Sequence, residues 1–212
     1  MIPVLGAGVF AAAVDDALIL LDLEKDDYLC LPGAADAVAT GEGGALKVED
    51  ARVAGILAAA GLLGRGPAIA EKLLPERPSI SVIHESAGRR PTLPMWRDGI
   101  LAALAVRKAR RRGGIKDYLA LACGSEGDRC PARVAEAARA FWRMTPWLPI
   151  EGECLVRSAL LMGFLQRRGL AADWVFGVRL WPFTAHCWVQ LDGVCLNDEV
   201  ERLTSYTPIY CR

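Results

Sequence analysis

Short apolar runs separated by acidic turns fill the start of the chain. Gly8–Ala13, Ala17–Leu23 and Tyr28–Leu31 read as three strands, with Asp15–Asp16 and Glu24–Asp27 as the turns between them. Pro32–Gly33 ends this sheet and opens a helix near Ala34–Thr40, which Gly41, Gly43 and Gly44 break. From Glu49 to Ala60 the apolar spacing is helical, with Val53, Ile56, Leu57 and Ala60 on one face; Gly61, Gly64 and Pro67 stop it. Pro75, Pro78, Pro91 and Pro94 then punctuate a stretch that reads as a linker, 76–94, between a domain at 1–75 and one at 95–212.

The second half opens with helices. Trp96–Arg112 is predicted to face inward through Ile100, Leu104 and Ala105, and Pro131–Met144 through Val134, Ala138 and Phe141/Trp142. The clearest helix is Cys154–Arg168, whose apolar stripe runs through Leu155, Ser158, Leu161, Met162 and Leu165 to a stop at Gly169. The period then shortens from 3.6 to 2. Asp173–Leu180, Ala185–Leu191 and Val194–Val200 read as strands, the last two joined through the hairpin signal Asp192–Gly193. Helices followed by an antiparallel sheet make an α+β fold.

Composition narrows the function classes. The 212 residues suffice for one large or two small domains, and 53% apolar content excludes a disordered chain. A net charge of zero argues against a chain built as a whole to bind nucleic acid or an anionic membrane. No run approaches the roughly 20 apolar residues of a membrane span. The N-terminal run MIPVLGAGVFAAAVDD lacks the basic residue a secretion signal places before its apolar core, so it reads as a strand and the expected location is cytoplasmic. Seven cysteines without a CxxC pair fit neither a disulfide framework nor a cysteine-rich zinc site, and no metal is expected. Only His84 and His186 are available to a histidine-dependent mechanism.

Against that background one ordered set carries chemistry. Cys154 stands where a helix begins, and the positive end of the helix dipole favours its thiolate. His186 can supply the imidazolium partner, with Trp188 on the same strand face as a water-excluding wall. The orienting acid depends on register. A two-residue loop Asp192–Gly193 pairs His186 with Glu199; a three-residue loop beginning at Leu191 pairs it with Asp198. Both carboxylates remain candidates on the residues alone, the shorter Asp198 suiting an imidazole nitrogen better. Taken singly, each of these residues is ordinary core or surface; the combination is not.

The runs ECLVRSALLMGFLQRRGLAADWVFGV, PFTAHCWVQLDGVCLND and YTPIY resemble the transglutaminase-like cysteine peptidases, and more narrowly the B proteins of lasso peptide biosynthesis. The resemblance spans about residues 95–212 and implies a papain-like peptidase domain with Cys154, His186 and Asp198 as the triad that removes a leader from a lasso precursor peptide. It implies a partner too, an asparagine-synthetase-like macrolactam cyclase. Residues 1–75 resemble the leader-binding unit called the RiPP recognition element, a winged-helix-like domain of three strands and three helices, here fused to the peptidase.

In that unit the strand Tyr28, Leu29, Cys30, Leu31 is expected to accept the leader by strand addition, with Val53 and Leu57 walling the groove. Trp188 is expected at the substrate site of the peptidase. The acidic run 15–27 argues against a winged-helix DNA binder. Trp147, or a backbone group near it, is a candidate second oxyanion donor. Arg107, Lys108, Arg110, Arg111 and Arg112 read as a solvated helix end, with cyclase docking as the lesser alternative. No cofactor is expected in the chain itself; it has no GxxxxGK[ST] loop, so any ATP requirement is expected to reside in the cyclase. Two other readings stay open: an acyl transferase on the same triad, and a non-catalytic precursor chaperone.

Overall fold

A computed structural model describes residues 3–40, 46–64, 74–83, 90–122, 127–148 and 152–212. The chain divides into two compact units, one of Met1–Leu74, Val178–Thr184 and Thr207–Cys211, the other of Pro75–Gly177, Ala185–Tyr206 and Arg212. Among the described residues no helix is long and apolar enough to cross a membrane.

In the first unit, β1 (Val4–Leu5) precedes a meander of β2 (Val9–Val14), β3 (Ala17–Asp22) and β4 (Asp27–Leu31). β3 is buried along its whole length, and β4 lies at one edge of this three-stranded sheet. The register Val14↔Ala17 leaves a two-residue turn in which Asp15 takes φ 53, a left-handed position aspartate tolerates. Asp22 shapes the next turn, its Oδ1 accepting the N–H of Glu24 at 2.8 Å.

The helix expected near Ala34–Thr40 is replaced by a single 3-10 turn at Ala35–Ala37 and β5 (Val38–Thr40), which pairs antiparallel with β6 (Leu46–Val48). Cross-strand pairing there satisfies the backbone where a short glycine-bounded helix could not. α1 (Ala51–Ala59) is capped by Asp50, whose carboxylate accepts the N–H groups of Arg52 and Val53 at 2.7 and 3.1 Å. β7 (Leu63–Gly64) returns to β1. α1 turns Val53 and Leu57 into the core beside Leu5, Leu18 and Leu20, while Ile56, expected on that face, is 41% exposed. The described residues of the N-terminal stretch hold one α-helix where the resemblance implies three; residues 65–73 lie outside the described set. Two segments from late in the chain complete the unit: Tyr210 packs its ring 4.4 Å from Phe10, and Phe183 meets Tyr28 at 5.7 Å.

The second unit starts where the linker was expected. Within it β8 (Ile80–Ser81) joins the sheet, running parallel to a later strand; residues 84–89 lie outside the described set. The helices are α2 (Leu93–Arg112), α3 (Ile115–Leu119), α4 (Pro131–Met144) and α5 (Cys154–Arg167). The strands are β9 (Asp173–Arg179), β10 (Thr184–Leu191) and β11 (Val194–Cys195), and α6 (Val200–Leu203) follows. Side by side the order is β9, β10, β11, β8.

α2 is rotated from the expected orientation. Ile100 and Leu104 are 50% and 57% exposed, whereas Ala102, Val106 and Ala109 are buried. The reason is spacing. A Cβ on Gly163 of α5 would stand 3.5 Å from the Cβ of Ala102, so α2 presents its small side chains to α5. Asp98, 4% exposed, ties the two helices through Arg168, the residue that closes α5, at 3.2 Å, and also pairs with its neighbour Arg97 at 3.0 Å.

The β10–β11 hairpin also differs from expectation. Leu191 pairs with Val194 across a two-residue turn, with Asp192 and Gly193 both left-handed at φ 47 and φ 78. The three-residue register that would pair His186 with Asp198 is therefore not the one adopted. The return strand stops at Cys195 instead of running to Val200.

Candidate active site

Cys154 is the first residue of α5, where backbone N–H groups lack intrahelical partners and the helix dipole is positive. Gly152 dictates how the chain arrives there. A Cβ at that position would lie 2.5 Å from the Cβ of Val156, so only glycine can fold this tightly over the first turn.

His186 projects from β10 and is 6% exposed. Its Nε2 lies 2.5 Å from Oδ2 of Asp198, which leaves Nδ1 to meet the sulfur of Cys154. The ring of Trp188 stacks behind His186 at 6.3 Å, and Tyr206 packs against it at 5.1 Å. Trp188 in turn donates from Nε1 to Gln190 Oε1 at 2.6 Å, and Gln190 Nε2 donates to the carbonyl of Glu76 at 2.7 Å.

The structure thus brings Cys154, His186 and Asp198 together, although the ladder register alone would have offered Glu199. Glu199 is exposed and stands just before α6. Asp198 is held on several sides. Its Oδ1 accepts the N–H of Glu199 at 2.8 Å, its carbonyl accepts from Ser81 Oγ at 2.7 Å, and Arg202 Nη1 lies 3.9 Å from Oδ1.

The electrostatics favour an ion pair. The thiol of Cys154 is lowered from 9.0 to about 4: a hydrogen bond from the Cys187 thiol contributes most, burial opposes it, and the hydrogen bond and charge of His186 add to the lowering. Burial pushes His186 down, but its hydrogen bonds and charges with Asp198 and Cys154 outweigh that and raise it from 6.5 to about 9. Asp198 is lowered despite its burial, chiefly by the His186 hydrogen bond. Burial, and then the contact with Cys154, push Cys187 well above 9.0, so it stays a thiol and a donor. Between these limits the stable form is a thiolate facing an imidazolium, the resting state of an activated cysteine nucleophile.

Sequence reasoning missed Cys187. Strand alternation places it on the face opposite His186, which conceals its contact with Cys154; its signal was adjacency alone. Trp188, expected to touch substrate, is 0% exposed and serves as a buried wall behind the imidazole. Trp147 lies 77% exposed on a 3-10 turn, and His84 falls outside the described residues. A cavity of about 420 Å³ opens where the chain enters α5, lined by Trp142, Pro146, Leu148, Gly152, Arg157 and Leu160. The Arg157 guanidinium covers the Trp142 ring at 5.2 Å.

In the first unit, β4 carries Cys30 exposed and Tyr28, Leu29 and Leu31 half-buried. A hollow of about 170 Å³ lies beside it, lined by Leu20, Lys25, Tyr28, Leu29, Ala60 and Leu62. Val53 and Leu57, expected to wall a groove, are 1% and 0% exposed. They support β4 from the core and present nothing to a peptide. Arg107, Lys108 and Arg110–Arg112 are exposed at the end of α2. Among the described residues no group of three or more His, Cys, Asp or Glu side chains is arranged to hold a metal ion.

Comparison with known proteins gives a family and one partial likeness. A stretch of 48 residues is 40% identical to the microcin J25-processing protein McjB of Escherichia coli, covering 23% of each chain. The likeness therefore reaches less than a quarter of that relative's length. No solved structure gives a significant match. Residues 100–211 match the model of the transglutaminase-like superfamily, and this span, over half of the 212 residues, includes Cys154, His186 and Asp198: the chain belongs to the transglutaminase-like superfamily.

Proposed function

We propose that this protein is a cysteine peptidase that binds a lasso precursor peptide through its N-terminal unit and cuts off the leader. The observation that carries the reading is the thiolate–imidazolium pair at the start of α5, with Asp198 on the far nitrogen of His186. The partial likeness to a microcin-processing protein supports a peptide-maturation substrate.

The Cys154 sulfur attacks the scissile carbonyl carbon, and the oxyanion draws on N–H groups at the helix start. The C–N bond breaks as His186 gives its proton to the leaving amine, which becomes the N-terminus of the core peptide. Water, deprotonated by the now neutral imidazole, hydrolyses the thioester, frees the leader as a carboxylic acid and regenerates the thiolate. The new amine is the group that a partner cyclase, asparagine-synthetase-like and ATP-consuming, joins to a side-chain carboxylate.

The leader would lie along the β4 edge by strand addition, beside the hollow at Tyr28 and Leu29. Residues of the N-terminal stretch would then act as a recognition element fused to the peptidase. Tethering raises the local concentration of the scissile bond, so the catalytic cleft need not bind tightly.

The test is cleavage of precursor by wild type and by Cys154→Ala, with leader binding followed by fluorescence anisotropy. Cys154→Ala is expected to bind and not cut; full cleavage by it refutes the proposal. Product mass in the presence of added amines separates hydrolysis from acyl transfer. Failure of an electrophilic probe to label Cys154 in wild type would favour a chaperone.

A further inference from the structure

The hydrogen-bond ladder does not deliver Asp198 to His186, so something else must. After Cys195 the chain still follows the two-residue register for one step, Leu196 N–H donating to the carbonyl of Val189 at 2.8 Å. At the next step the backbone leaves, and a side chain takes its place: Asn197 Oδ1 accepts the N–H of Val189 at 2.7 Å. Its amide end reaches the other way, Nδ2 donating to Ser158 Oγ at 2.8 Å. The Ser158 hydroxyl donates to the carbonyl of Cys187 at 3.3 Å, and the Cys187 thiol lies 3.7 Å from Ser158 Oγ. Ser158 and Asn197 are 0% and 5% exposed.

This small network touches every element that carries the triad. Ser158 is one helical turn beyond Cys154 on α5. Cys187 and Val189 follow His186 on β10. Asn197 immediately precedes Asp198. A buried amide with both ends bonded fixes one geometry and makes any other leave a donor or acceptor unsatisfied.

We propose that Asn197, with Ser158 as its anchor, is the positioning residue of the site: it diverts the chain from the ladder so that Asp198, not Glu199, meets the imidazole, and it fixes that strand against the helix bearing the nucleophile. The inference rests on the reading of Cys154, His186 and Asp198 as a working triad.

The test reads the ion pair without substrate. The rate of alkylation of Cys154 by iodoacetamide is followed by peptide mapping as a function of pH in the full chain. The groups facing the pair are the carboxylate of Asp198, the thiol of Cys187 and the ring of Tyr206, with Arg202 of α6 acting on Asp198 and Asp198 in turn acting on the Cys195 thiol of β11. Loss of the Asp198 pose weakens the imidazolium, and the thiolate with it. Asn197→Ala is expected to move the acid midpoint of alkylation upward by about one pH unit or more, in the direction of Asp198→Asn. Peptide turnover should fall on the order of tenfold or more with KM little changed. Ser158→Ala, which removes one link only, is scored by the same criterion if Asn197→Ala does not fold.

A folded variant with the wild-type profile, beside an Asp198→Asn control that does shift, overturns the positioning role alone. An Asp198→Asn control that leaves the profile unmoved overturns the triad reading and this inference with it. Failure of both network variants to fold assigns the network to stability and overturns the inference.

Discussion

Replacing Gly152 by alanine tests how the nucleophile is placed. The added Cβ would stand 2.5 Å from Val156 Cβ and 2.6 Å from its Cγ1, against 3.4 Å for the onset of ordinary contact. The two must therefore part by about 0.9 Å, the difference between 3.4 and 2.5 Å. Val156 cannot yield easily, being β-branched in a helix and 8% exposed. The strain falls on the segment between them, Glu153–Leu155, with Cys154 at its centre. A misplacement of about 1 Å at a reacting atom costs on the order of 100-fold in rate, or about 2.7 kcal/mol of barrier. Overpacking of this kind costs a further ~1–3 kcal/mol of stability, which lowers the melting temperature by roughly 2–4 °C per kcal/mol in a chain of this size. The assay is mass-spectrometric cleavage of a precursor peptide with kcat and KM separated, beside thermal denaturation. The expected result is a kcat about 100-fold down with KM within about twofold. A Gly152→Ala enzyme with wild-type kcat would refute the claim that this glycine steers the sulfur.

Cleavage should be confined to a plateau bounded by the Cys154 limb near pH 4 and the His186 limb near pH 9, measured as kcat/KM against pH. Because His186 is raised, its contribution to stability is full below 6.5 and fades as pH climbs through about 9; in Asp198→Asn that loss, like the alkaline limb, should retreat toward 6.5, a change visible in melting temperature against pH. Tyr28→Ala combined with Leu31→Asp should weaken leader binding about tenfold or more in anisotropy titrations while sparing turnover at saturating peptide. On α2, Leu104→Glu should change stability by no more than about 0.5 kcal/mol, whereas Ala102→Leu should cost ~1–3 kcal/mol in chemical denaturation, because only the second meets α5.

The strands Val9–Val14 to Asp27–Leu31 and the helix opening at Cys154 were legible because their turns and caps announce themselves locally. The orientation of α2 was not. Counting large apolar residues as inward fails when the neighbouring helix carries glycine and demands alanine at the contact. Asp198 was reached by a register the chain does not adopt. No periodicity reveals that an asparagine side chain will stand in for a ladder carbonyl, because that substitution depends on Ser158, thirty-nine positions earlier in the sequence. Val53 and Leu57 were assigned to a groove from their apolar character, yet the same character drew them into the core.

The segment ahead of α2 has a consequence for how such a protein could be made as two polypeptides. Gln190 grips the carbonyl of Glu76, Ser79 N–H donates to the carbonyl of Gly193, and Ser81 holds the carbonyl of Asp198. A break placed after β8 would strip the second unit of a strand and Asp198 of one restraint. A division of the chain that keeps these bonds within one polypeptide must fall upstream of Glu76, and it would still leave Val178–Thr184 and Thr207–Cys211, which complete the first unit, on the other piece.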